Sequence, residues 1–134
     1  MLRKDVLERF FEALAAGDLA KVRACCTASA RFWHSFDQTA HDLDAIEPQW
    51  QALACDFSEV RFADVRRQKT VSGYVQQHVM MVRRHDGRRI AWPACVVVRI
   101  KDGRISRLDE YIDRAGTFEI LGEGKPMAPG LEDI

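Results

Sequence analysis

Four strand-like runs occupy residues 59 to 112 of this chain, and nothing longer than a turn separates them. They fall at about 59–70, 73–84, 88–100 and 104–112. The breaks are Ser72-Gly73, Asp86-Gly87 and Asp102-Gly103. Such dipeptides tolerate the positive φ angles that tight hairpin turns need. Strands joined this way pair antiparallel, so this part of the chain predicts a meander.

The part before it reads as helix. Leu2, Val6, Leu7, Phe10, Phe11 and Leu14 recur at helical spacing over about 2–16. Gly17 ends that helix and Asp18 caps a short second one over 19–26. Residues 30–36 (ARFWHSF) make a short aromatic strand. Asp44 is placed to cap a third helix reaching about 57, with Pro48 in its first turn, where a missing N–H costs nothing. A last helix is expected over about 114–121, followed by a turn-rich tail at 122–134 (GEGKPMAPGLEDI). Helices followed by a meander predict an α+β domain over 1–121. Its form would be a cone: a strongly curved antiparallel sheet whose N-terminal helices enclose a pocket.

Composition narrows the function. The 134 residues carry 20 basic and 20 acidic side chains, so nothing points to nucleic acid or an anionic membrane as a partner. No apolar run approaches the roughly 18 residues of a membrane span. The opening MLRKDVLERFFEALAAG is charged and amphipathic, unlike a signal peptide. Cys25, Cys26, Cys55 and Cys95 form no CxxC, and with His34, His41, His78 and His85 they show no zinc spacing. They read as reduced thiols of a cytoplasmic protein, with no metal and no cofactor expected. Cys95 is the first choice if one thiol were catalytic.

The strongest chemical signal is DGRISRLDEYID at 102–113. Leu108, Glu110 and Ile112 share one strand face, because side chains alternate. A carboxylate between apolar neighbours is buried or lines a cavity, where its pKa rises into the working range of an acid or base. The plainer reading gives Glu110 a wet face or an arginine partner. Hairpin register decides its company. A two-residue loop at Asp86-Gly87 sets His78 opposite Cys95 and turns Gln77 inward. A three-residue loop with a Gly bulge sets His78 opposite Ala94 and turns Gln76 inward. The three-residue register at Asp102-Gly103 places Glu110 opposite Ala94 and inside. With both loops alike, His78 and Glu110 flank Ala94. Trp33 and Trp92 would then wall the pocket, or else be core. Trp33 and His34 must face opposite ways, so at most one of them lines it. The arginine pairs at 66–67, 83–84 and 88–89 read as exposed hairpin ends, or as a clamp for an acidic partner.

The opening helix VLERFFEALAAGD, the strand ARFWHSFD, the strand GYVQQHV and the closing pair ACVVVRIKDGRISRLDEYID together resemble the nuclear transport factor 2-like superfamily. Within it the chain is most similar to the SnoaL-like and ketosteroid-isomerase-like branch. The resemblance implies the cone fold, a homodimer through the open sheet face, and a hydrophobic small molecule as ligand. It spans isomerases, cyclases, dehydratases, epoxide hydrolases and non-catalytic binding domains. Carried over residue by residue, the steroid-isomerase base falls near Asp37, while the second carboxyl position falls on or beside Val96 and is apolar. The last carboxylate of limonene-epoxide-hydrolase-like enzymes falls on Glu110, and the other two positions of that triad are Gln77 and Val79. The pocket histidine of scytalone-dehydratase-like enzymes falls on His78. The reading that results is a small-molecule-binding protein, with Glu110 and His78 as an acid–base pair and Trp33, Asp37, Gln76, Gln77 and Trp92 around the substrate. A non-catalytic ligand-binding or interaction domain is the alternative, and an accessory subunit docking by its sheet face is a third.

Overall fold

The computed structural model describes residues 4–114 and the backbone of residues 118–119. Helix α1 (Val6–Ala16) starts at Asp5, whose carboxylate accepts the Glu8 N–H at 2.8 Å. It buries Val6, Leu7, Phe10, Phe11 and Leu14, the stripe read from spacing; Leu2 lies outside the described residues. Gly17 ends the helix at φ 71°, in the left-handed region. Helix α2 (Leu19–Ala24), capped by Asp18, stops short of its expected end because Cys26 already begins strand β1 (Cys26–His34). That strand also starts before residue 30 and ends before Phe36. A two-residue strand, β2 (Ala40–His41), occupies what reads as loop and pairs with β1.

Helix α3 (Leu43–Asp56) is capped by Asp42, not Asp44: the Asp42 carboxylate accepts the Ala45 N–H at 2.8 Å. Pro48 therefore stands inside the helix rather than in its first turn, where it removes one backbone hydrogen bond. The earlier start lets Leu43 join Ile46 and Trp50 in the core. Burying side chains of this size contributes about 1.5–3 kcal/mol each, more than one helix bond is worth.

The meander follows as β3 (Phe57–Lys69), β4 (Gly73–Arg84), β5 (Arg89–Lys101) and β6 (Arg104–Ile112). The expected last helix is corrected: Phe118–Glu119 form a short strand, β7, on β5. Residues 115–117 and the tail at 122–134 lie outside the described residues. The strand order is β2-β1-β6-β5-β4-β3, with β7 beside β5. The sheet is curved and unclosed, and the helices lie on its concave side. Its pairs are antiparallel except β1 with β6, which run parallel.

Both hairpins that decide the site are resolved. At Asp86-Gly87 the Arg84 N–H donates to the Arg88 carbonyl, and Gly87 takes φ 90°. This is the three-residue loop, and it sets His78 opposite Ala94. At Asp102-Gly103 the loop has two residues, with φ 52° and 74° and Lys101 opposite Arg104. A shift in register between Arg99 and Ile100 then follows. That extra residue restores the inward face for Glu110 but sets it opposite Val96 rather than Ala94. The turn gives the wrong face by itself, and the bulge corrects it.

Candidate active site

Glu110 sits on β6 between Leu108 and Ile112, and all three line a cavity of about 390 Å³. Helices α1 and α3 roof it with Phe10, Phe11 and Trp50, and Trp92, Met80 and Phe62 lie across the sheet from them. The size falls in the range of ordinary small-molecule sites. The partner that meets Glu110 is His34. The parallel register places His34 of β1 beside Glu110 of β6, and His34 Nε2 lies 3.4 Å from Glu110 Oε1. Ser35 holds the two strand ends together. Its N–H donates to the Glu110 carbonyl at 2.9 Å, and its Oγ accepts the Ile112 N–H at 3.1 Å.

Burial sets the charge state of this pair. It pushes the Glu110 carboxyl up to about 7, with the Arg114 cation pulling weakly the other way. Burial also pushes the His34 imidazole down to about 4, against the pull of Asp37. The contact is therefore no standing ion pair. Near neutral pH it joins a neutral imidazole to a carboxyl that is half protonated. His34 Nδ1 is buried without a partner among the described residues. Phe36 stacks on the His34 ring at 5.0 Å, and the Arg114 guanidinium lies 4.8 Å from that Phe36 ring.

The residues singled out from sequence are spread over four places. Glu110 and Trp92 line the cavity. His78 is on the concave side but behind the cavity wall, with the rings of Phe11 and Phe62 against it at 5.0 and 5.1 Å. It is buried and pushed down to about 4 by that burial. Gln76 is buried beside it: its amide oxygen accepts Arg67 Nε at 2.9 Å, and its Nε2 lies 3.0 Å from His78 Nδ1. Arg67 in turn pairs with Asp5, the cap of α1. This row ties the first helix to the sheet. Trp33 and Gln77 point to the convex side, where Trp33 packs on Tyr111 at 5.2 Å. Neither reaches the cavity, since each is one residue out of phase with an inward neighbour. Asp37 lies in the turn after β1 and accepts from His41 Nε2 at 2.7 Å. Burial raises its carboxyl, but hydrogen bonds from His41, Thr39 and Gln49 outweigh that and leave it lowered.

His34 is the residue that sequence reasoning passed over. Phe32-x-His34-x-Phe36 is the same apolar–polar–apolar alternation that marked Glu110. Among the described residues no group of His, Cys, Asp and Glu side chains is arranged to hold a metal ion, and no helix is long and apolar enough to cross a membrane.

Comparison with known proteins agrees with this architecture. No curated protein matches the chain. Among solved structures, it is similar to IdmH of Streptomyces antibioticus, a candidate polyketide cyclase: 18% identity, 84% of this chain and 92% of that one, TM-score 0.75. It is also similar to an NTF2-like protein of unknown function from Burkholderia pseudomallei, at 20% identity, 82% and 89% coverage and TM-score 0.70. A third is a ketosteroid-isomerase-like protein of Catenulispora acidiphila in complex with trimethylamine, at 9% identity, 87% and 92% coverage and TM-score 0.74. At these identities the likeness speaks for the fold. The sequence profile of the SnoaL-like domain matches residues 7–108, most of the chain, and the protein belongs to the SnoaL-like family.

Proposed function

We propose that this protein binds a hydrophobic small molecule in the cavity and moves a proton on it without a cofactor, with Glu110 as acid and base and His34 as its partner. The observation that carries this is the contact of a buried carboxyl with a neutral imidazole, 3.4 Å apart, inside an aromatic-walled cavity. In its ionised form Glu110 takes a proton from a carbon next to a carbonyl, and the C–H electron pair moves into the carbonyl as an enolate. In its acid form Glu110 returns that proton at another position, to give an isomer, or to a leaving hydroxyl, to give a dehydrated product. His34 Nε2 holds Glu110 in place, as a neutral imidazole that donates to the ionised carboxyl or accepts from the acid form according to its tautomer. A pKa near 7 populates both forms at neutral pH, which is what a two-way proton carrier needs. Isomerase, cyclase and dehydratase reactions fall within this scheme; in an epoxide-hydrolase reaction the ionised carboxyl would instead take a proton from an attacking water while the ring C–O bond breaks and its oxygen is protonated. The structural neighbours described as polyketide cyclases are consistent with it. Free thiols at Cys25, Cys26, Cys55 and Cys95 fit a cytoplasmic protein.

One observation favours plain binding instead. Val96, beside the position where steroid isomerases of this fold carry a second hydrogen-bonding carboxyl, is apolar and fully buried. Deuterium exchange separates the two readings. A panel of hydrophobic ketones and enones is incubated with the protein in D2O and followed by NMR. Exchange at the α-carbon should be accelerated by the protein, rising with pH through about 7, and should drop about 10²–10⁴-fold in Glu110→Gln. Binding without exchange, or exchange untouched by Glu110→Gln, would favour the binding domain.

A further inference from the structure

Two hydrogen-bond donors of the cavity have no task in the contact between Glu110 and His34. The first is Arg114. Its guanidinium lies over the Trp92 ring at 4.9 Å and over the Phe36 ring at 4.8 Å. Such contacts engage the π faces of the rings and leave the guanidinium N–H groups able to donate to an acceptor. Asp56 and Glu110 line the same cavity, yet among the described residues no carboxylate forms an ion pair with Arg114. The second is Trp92, which is 6% exposed and whose indole N–H is buried with no acceptor among the described residues. A buried donor is costly to leave unmade, so a ligand atom is its natural acceptor. The two donors are adjacent, because Arg114 stacks on the Trp92 ring itself.

We infer that the ligand carries an oxyanion on a flat apolar frame, and that the edge of Arg114 and the indole N–H of Trp92 hold that oxyanion. A carboxylate and the enolate of an acidic carbonyl compound share this chemistry. The frame lies among Phe10, Phe57 and Phe62, which line the same cavity. Glu110 keeps its proton below about pH 7 and so sets no fixed negative charge against the anion there. The assignment rests on this cavity being the ligand site, and it names the class of ligand taken there.

The probes are 2-naphthoate and its neutral isostere 2-naphthylmethanol, titrated calorimetrically at pH 6. The wild-type protein should bind the carboxylate about tenfold more tightly than the alcohol, as a charge-assisted hydrogen bond implies. Arg114→Gln should bring the two within about twofold while leaving the alcohol unchanged. Arg114→Lys should fall between, since an ammonium keeps the charge without the flat fork. Trp92→Phe should weaken the carboxylate more than the alcohol. Arg114 is exposed, so its variants keep the fold, and an unchanged melting curve checks that. Equal affinities in the wild type, a preference that survives Arg114→Gln, or no binding of either probe at millimolar concentration each overturn the inference. The acid–base reading fails separately. Glu110→Gln should keep the naphthoate preference whatever it does to deuterium exchange, and exchange without an anion preference sinks only the Arg114–Trp92 assignment.

Discussion

A carboxyl placed between Leu108 and Ile112 under an aromatic roof does not hold its charge in water's absence, and that has a consequence for stability. The Glu110 pKa is about 7 in the folded protein against an ordinary value of 4.5. The folded state therefore binds this proton more tightly than the unfolded chain between those values. Its contribution to stability is full below about pH 4.5 and is lost as pH rises towards 7. Glu110→Gln removes the loss. It should match the wild type near pH 4.5 and exceed it at pH 8 by up to roughly 3 kcal/mol, read from urea midpoints. His34 and His78, both near 4, act with the opposite sign. They withdraw stability as pH falls from about 6.5 to about 4, and they do so in both proteins, so the difference isolates Glu110. An equal gap at pH 4.5 and pH 8 would sink this account. At this scale the sequence was partly readable. Alternation alone turns Glu110 inward, because Leu108 and Ile112 must be buried. The same alternation marks His34 through Phe32 and Phe36. What no local pattern shows is that β1 lies beside β6, a pairing between residues 76 apart in sequence, and without it the two groups have no reason to meet.

Caps and turns show which local signals decide an element and which tertiary contacts override them. Asp42 and Asp44 both stand before a helical run, and only Asp42 bonds a helix N–H. Asp42→Ala should cost about 1 kcal/mol and Asp44→Ala less, since Asp44 makes only an exposed pair with Arg23. Equal losses in chemical denaturation would count against the assigned cap. The sequence favoured Asp44 because that start keeps Pro48 in the first turn; burial of Leu43 against the core outweighs that preference. Glycines divide in the same way. Gly87 is needed for its φ of 90° and has open space around it, so Gly87→Ala should cost about 1 kcal/mol. Gly73 has no positive φ, yet a Cβ there would stand 2.0 Å from the Val98 carbonyl oxygen. Gly73→Ala should force β4 off β5 and cost about 3 kcal/mol. Both glycines look like turn residues in the sequence. Only the approach of β5, set by the next hairpin, gives Gly73 a different reason. The bulge after Arg99 is of this kind too: the Asp102-Gly103 turn was legible, and the extra residue that re-aims Glu110 was not.

At the scale of the whole molecule, the helices cover one side of the sheet and leave the other to solvent. The convex side presents Tyr111 at 55% and Val97 at 40% exposure, with Trp33, Val75, Val79 and Cys95 half-buried around them. These residues belong to adjacent strands, so they form one patch: Val75 pairs with Val97, Cys95 with Tyr111, and Trp33 packs on Tyr111. The charges nearest it are spent internally, as Arg107 pairs with Asp109 at 3.0 Å. An apolar face of this extent on a chain with zero net charge favours self-association, because little repulsion opposes it. We therefore expect a two-fold dimer through this face, in which each patch meets its own copy and each subunit buries about 800 Å². Val97→Glu tests it without touching the core, since Val97 is already exposed. In an isologous interface the new carboxylate is buried near its own symmetry mate, and dissociation should be complete at tens of micromolar by light scattering. The variant's melting curve at high salt should otherwise stay that of a folded domain. A wild-type monomer at that concentration, or a Val97→Glu dimer, would leave the convex side for another partner. Cavity and patch lie on opposite sides of the sheet, so naphthoate binding should survive the dissociation unchanged.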